Sequence, residues 1–121
     1  MSSIGSFRYF LAGVAEEIQT FGLDMVDGVL HTGDLRPTQP DGHRCRMFRW
    51  HDVTEMIAAR PCHLLAASAS NAVSLGDPEA VSRLADDPQV WSRFLDWEEE
   101  LAAESGMLDG GTHILFAVER T

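Results

Sequence analysis

His43 and Arg46 stand three positions apart in a stretch rich in turn residues, and they are the pair best suited to handle a small molecule. An imidazole titrates near neutrality and can take a proton from a nucleophile. A guanidinium can hold a carboxylate or phosphate through paired hydrogen bonds. Arg36, Arg44, Arg49 and His51 share the stretch, which makes a local basic patch on an acidic chain. The same residues also read as a loop whose donors satisfy backbone carbonyls. Asn71 is the third candidate for binding a substrate. It closes an apolar run at the strand edge where α/β folds place ligands. Its other reading is a turn residue bonded to its own backbone.

Other chemistries find little support. His31, His43, His51, His63 and His113 offer no pair at the helical spacing of a zinc site, and HExxH is absent. No metal site is therefore expected. Ser68 and Ser70 have no GxSxG context, so hydrolase chemistry is unsupported. Cys45 and Cys62 lack CxxC spacing and read as free thiols. Trp91, Phe94 and Trp97 read as core or interface. The run Glu98-Glu99-Glu100 reads as a solvated helix face. No residue is assigned a catalytic role.

These residues need elements to hold them. Phe7, Phe10, Leu11, Val14, Ile18 and Phe21 repeat at helical spacing, which predicts one helix over 6–21 capped by Ser6 and ended by Gly22. A second helix is expected over 23–31, stopped by Gly33. Residues 32–44 carry Gly33, Pro37, Pro40 and Gly42 and read as loop. A helix near 51–60 ends at Pro61, and 62–69 reads as a mostly buried strand. Asp77-Pro78 and Asp87-Pro88 each place a capping carboxylate before a proline at the first helical position. They predict helices over 78–85 and 88–104. The second should bury Val90, Trp91, Phe94, Leu95, the stem of Glu98 and Leu101. The closing segment, 112–121, is an apolar strand after Gly110-Gly111.

The chain has 121 residues and 45% hydrophobic content, which suits one domain with a sizeable core. No apolar run reaches transmembrane length, and no secretory signal is visible. The net charge of −10 disfavours nucleic acid and anionic lipid as partners. A cytoplasmic protein is expected. Two strands make a marginal sheet alone.

The order of these segments resembles the C-terminal half of class I S-adenosylmethionine-dependent methyltransferases. Met1–Gly5 looks like the end of the fifth strand and the turn after it. Phe7–Glu17 looks like the helix that caps the substrate pocket. Gly42–Trp50 resembles the lead into the last large helix, and Ala66–Asn71 the end of the sixth strand. Trp97–Glu100 through Leu108–Leu115 resembles the insertion and closing strand. The resemblance implies an α/β, partial Rossmann-like fold. It would be helix-rich, with an antiparallel pair of C-terminal strands and without the N-terminal cofactor-binding strands. It also implies that His43, Arg46 and Asn71 face a small-molecule substrate during methyl transfer.

The Gly-rich loop that holds S-adenosylmethionine in that family is absent, and so is GxGxxG. Gly110-Gly111 precede a strand and cannot aim a helix N-terminus at an anion. No cofactor binding is therefore expected of this chain alone. The expected organisation is a single domain over 1–121, with a helical cap over about 6–50. Helix, strand, helices and strand follow over about 51–121. The expected function is the substrate-capping part of a methyltransferase, inactive without its cofactor-binding half, whether as a truncated product, a chain begun at an internal methionine, or half of a split enzyme with a complementary subunit. The alternative is a non-catalytic binding module that covers its strands with helices 6–21 and 88–104. Such a module would form a homo-oligomer through its strand edge.

Overall fold

Two Asp-Pro steps and two glycines set several of the helix ends. The computed structural model describes residues 1–38 and 45–121. Among these residues the chain is a small α/β protein of six helices and a two-stranded antiparallel sheet. The order is α1 (Ser3–Tyr9), α2 (Leu11–Phe21), α3 (Leu23–Thr32), α4 (Trp50–Ala58), β1 (Cys62–Ala69), α5 (Pro78–Ala85), α6 (Pro88–Ala102) and β2 (Ile114–Arg120). Asp77 Oδ1 accepts from the Ala80 N–H at 2.9 Å, and Asp87 Oδ1 from the Gln89 N–H at 2.8 Å. Both prolines thus sit where a helix has no use for an N–H. Gly33 closes α3 in the left-handed region at φ 70°. A Cβ there would also stand 2.0 Å from the Met47 carbonyl oxygen.

The single helix expected over 6–21 is two helices. Phe10 leaves helical geometry at φ −98°, ψ 29°, and divides α1 from α2. Hydrogen bonds cross the bend, because the Phe10 N–H reaches the Ser6 carbonyl and the Val14 N–H reaches that of Phe10, each at 2.9 Å. The cap is Ser2 rather than Ser6. Ser2 Oγ accepts from the Gly5 N–H at 3.2 Å. Met1–Gly5 is strand-like only at Ser2, which bridges Phe48 in parallel fashion before α1 begins.

Ser2 is fully buried, at 0% exposure, although it is the second residue. Its N–H donates to the Thr112 carbonyl at 2.9 Å and its Oγ to the Asp109 carbonyl at 2.8 Å. The Phe48 N–H donates to Met1, and the Ser3 N–H to Phe48, both at 2.9 Å. The N-terminus is therefore laced between the segment before α4 and the segment before β2. Gly5 and Gly111 permit this. A Cβ on Gly5 would lie 1.7 Å from the Gly111 carbonyl oxygen.

β1 and β2 pair with His63 opposite Glu119, Leu64 opposite Val118 and Ser68 opposite Leu115. The register shifts once, between Leu64 and Ala66. The prediction of buried strands is overturned. Phe116 and Val118 share one face and Leu115 lies on the other, and all three are exposed. Leu65 is 59% exposed and Leu115 55%. The packed core is small and lies beside the sheet. Ala69, Ala72 and Ala102 form one cluster with Met107 against it, and Val26, Val29, Val53 and Phe94 are buried elsewhere.

Helix faces fall short of their predicted burial for the same reason. α2 buries no residue, and Leu11 is 60% exposed. In α6 only Phe94 and Ala102 are buried, while Val90, Leu95 and Leu101 stay exposed. Apolar periodicity records which face is able to be buried, not whether a second layer covers it. The accessible surface is 8291 Å² for 13.4 kDa. A compact monomer of that mass exposes about 6,500 Å².

Candidate functional site

The cap region borders an open, mainly apolar hollow. A cavity of about 370 Å³ lies among α1, α2 and α3, lined by Phe7, Phe10, Val14, Val26, Met47 and Glu17 among others. Val26 and Met47 are buried at its floor. Glu17 is the one charged side chain on its wall among the described residues. Such a space accepts an apolar body and orients it by a single carboxylate.

Arg46 lies at a second, polar hollow of about 350 Å³, with Thr32, Asp34, Arg36 and Cys45. The strands of this hollow are short. Asp34 and Arg46 form an antiparallel bridge, and the Met47 N–H reaches the Gly33 carbonyl at 2.8 Å. The Arg46 guanidinium stands 5.5 Å above the centre of the Phe48 ring, a cation–π distance. Asp34 takes the Arg36 guanidinium through both carboxylate oxygens and also accepts the Arg36 N–H at 3.1 Å. The Arg36 hydrogen bonds hold the Asp34 carboxyl down at about 2, from an ordinary 3.8. Arg36 is thus engaged by Asp34. Arg46 is exposed and carries the positive charge best placed to meet an anion. His43 lies outside the described residues.

Asn71 follows β1 and is half-buried, but it does not turn on its own backbone. Its Oδ1 accepts from the Thr112 N–H at 3.1 Å and from Ser70 Oγ at 3.1 Å. Ser70 Oγ in turn receives the His113 N–H at 3.1 Å. Asn71 therefore stitches the exit of β1 to the entry of β2. Neither hollow described above is lined by both Arg46 and Asn71.

The sequence buries the stem of Glu98 but reads its charged run as a solvated face; in the structure Glu98 is half-buried and its carboxylate is engaged as well. Its carboxylate accepts the Ala72 N–H at 2.7 Å, the Val73 N–H at 2.7 Å, the Ser74 N–H at 3.1 Å and the Ser74 hydroxyl. Burial alone would raise its pKa, but these hydrogen bonds outweigh it and the carboxyl is held below its ordinary value. Its sequence neighbours carry no trace of this, because the loop it clamps lies far away in the chain. Asp109 was missed similarly. Its Oδ1 accepts the Trp50 N–H at 2.7 Å, which ties the start of α4 to the turn before β2.

Among the described residues no group of three or more His, Cys, Asp or Glu side chains is placed to hold a metal ion. No helix there is long and apolar enough to cross a membrane. Cys45 and Cys62 are free thiols. No family model, no curated protein and no solved structure matches the chain.

Proposed function

We propose that this chain is the substrate-capping, C-terminal part of a class I S-adenosylmethionine-dependent methyltransferase fold, which needs a cofactor-binding half to act. The observation that carries the reading is the exposed apolar surface of the sheet. β1 and β2 are apolar on both faces, and Leu65 and Leu115 are more than half exposed. Strands that are apolar on both faces belong to sheets covered on both sides, whereas an antiparallel sheet with a face open to water alternates apolar with polar residues. The self-contained alternative called for helices 6–21 and 88–104 to lie across the strands. Instead α2 packs mainly on α3, and α6 on α5.

In this reading α1 and α2 are the cap. The cavity lined by Phe7, Val14 and Met47 receives the apolar part of the acceptor, with Glu17 facing a donor group on it. Arg46 holds an anionic group at the neighbouring hollow, and His43 takes the proton lost by the methyl acceptor. Asn71 acts through the strand junction, because its amide oxygen is already engaged by Thr112. S-adenosylmethionine belongs to the missing half.

Calorimetry with S-adenosylmethionine tests this. The chain alone should show no binding. Mixed with the cofactor-binding half of a class I methyltransferase, it should gain binding beyond that of the half alone. Micromolar binding by the chain alone, or no gain in the mixture, would overturn the reading.

A further inference from the structure

We propose that the hollow among α1, α2 and α3 binds a lipophilic amine, with the apolar body of that molecule in the hollow and its ammonium on Glu17. That such an amine is the molecule to be methylated rests on the reading above; the binding site itself does not.

One face of α2 builds the wall. Phe10, Gly13, Val14 and Glu17 recur at helical spacing and line one stripe of the hollow. Val26 and Met47, both buried, close the floor. A single ligand thus meets aromatic, aliphatic and thioether surface, in a volume of about 370 Å³ that suits a small molecule.

Into this apolar wall the chain sets one carboxylate. Glu17 is half-buried. None of the ion pairs among the described residues involves it. An ammonium meets such a group with charge and N–H together. The net charge of −10 draws cations towards the chain and repels carboxylates and phosphates, so a fatty acid or a phosphoester is the wrong ligand for this hollow. A sugar would leave its hydroxyls unpaired against Phe10, Val14 and Met47.

Gly13 gives the ligand its room. It lies inside α2, one turn before Glu17, and lines the hollow. It is not among the glycines with positive φ, and a Cβ there would meet no atom within 4 Å. Neither conformation nor packing asks for a glycine, which weakens a helix. A side chain at this position would rise beside Glu17 on the same stripe, where the body of the ligand lies. Under the methyltransferase reading the ammonium anchors the acceptor and is not the methylated atom, because a protonated nitrogen has no lone pair to give.

The test titrates the full chain at neutral pH with three indoles of similar size. Tryptamine is positive, tryptophol neutral and indoleacetate negative. Amide shifts of Gly13, Val14, Val26 and Met47 read occupancy by NMR. Tryptamine should bind about fivefold or more tighter than tryptophol, and indoleacetate should bind most weakly. Glu17→Gln should bring tryptamine down to the level of tryptophol, whose own binding stays. Glu16→Gln removes the same charge from the exposed neighbour and should leave the order of the ligands intact. Gly13→Leu should keep its fold by circular dichroism and lose all three ligands. Absence of tryptamine shifts at these residues, in a monomer or in a dimer by light scattering, overturns the proposal. So does a preference for tryptamine that survives Glu17→Gln or falls equally in Glu16→Gln, and so does a folded Gly13→Leu chain that still binds. None of these readings involves the cofactor. Amine binding with failed cofactor complementation would sink the methyltransferase reading alone, and the reverse would sink the amine alone.

Discussion

The Ser74 hydroxyl donates to the carboxylate of Glu98, which also gathers three consecutive backbone N–H groups from Ala72 to Ser74. This one side chain joins α6 to the exit of β1. Glu98→Gln should therefore lower stability by about 1–3 kcal/mol, because charge-assisted bonds become neutral ones and one amide end mismatches its donors. Urea unfolding checks this. An unchanged midpoint would mean that the loop from Ala72 to Ser74 is held by something else.

The pH dependence follows in sign. Glu98 is lowered from 4.5 and Asp34 from 3.8 to about 2. Each folded carboxyl holds its proton more weakly than the unfolded one, so the unfolded state binds protons first as pH falls. The stability from both groups is complete above their ordinary values and is lost as pH drops through the folded ones. The thermal midpoint should be level from neutrality to about pH 5 and fall below about pH 4. Glu98→Gln should flatten part of that fall. A midpoint that rises on acidification would contradict the assignment.

Gly5→Ala and Gly13→Ala should separate sharply. At Gly5 a methyl meets the Gly111 carbonyl at 1.7 Å, backbone against backbone. A loss of about 3 kcal/mol or more is expected, or no folded protein. At Gly13, inside α2, nothing lies within 4 Å of the added methyl. There alanine should stabilise by about 0.5–1 kcal/mol. Circular dichroism melts of the two variants suffice, and equal effects would refute the seam at Gly5.

Leu65→Lys and Leu115→Glu replace exposed leucines on the sheet. In the isolated chain each should change stability by no more than about 0.5 kcal/mol and reduce aggregation. In the complemented protein each should weaken assembly, because a charge then enters a covered face. Paired unfolding and light-scattering measurements decide it. A large loss in the isolated chain would mean that the sheet is already covered.

Local signals were legible in the sequence and relational ones were not. Asp77-Pro78 and Asp87-Pro88 announce their helices because cap and proline act within one turn. β1 and α3 were placed for similar reasons, by Pro61 and Gly33. Ser2 as the cap of α1 was hidden, since Ser6 offers the same chemistry and only the lacing to Thr112 selects Ser2. The bend at Phe10 was hidden as well, because Phe7, Val14 and Ile18 keep helical spacing across it. Arg46 was found as an exposed cation, but its stacking on Phe48 depends on a short extended segment that spacing does not encode. Glu98 and Asp109 bond to backbone far along the chain, so no window of neighbouring residues reveals them.

A cell treats exposed sheet faces such as those that carry Leu65, Leu115 and Phe116 as a mark of unfinished business. Chaperones and proteases bind such surfaces and remove chains that keep them open. If a partner covers those faces, the abundance of this chain is set by the supply of that partner rather than by its own synthesis. Excess copies would be cleared as orphans, which would fix the stoichiometry of the pair without any dedicated regulator.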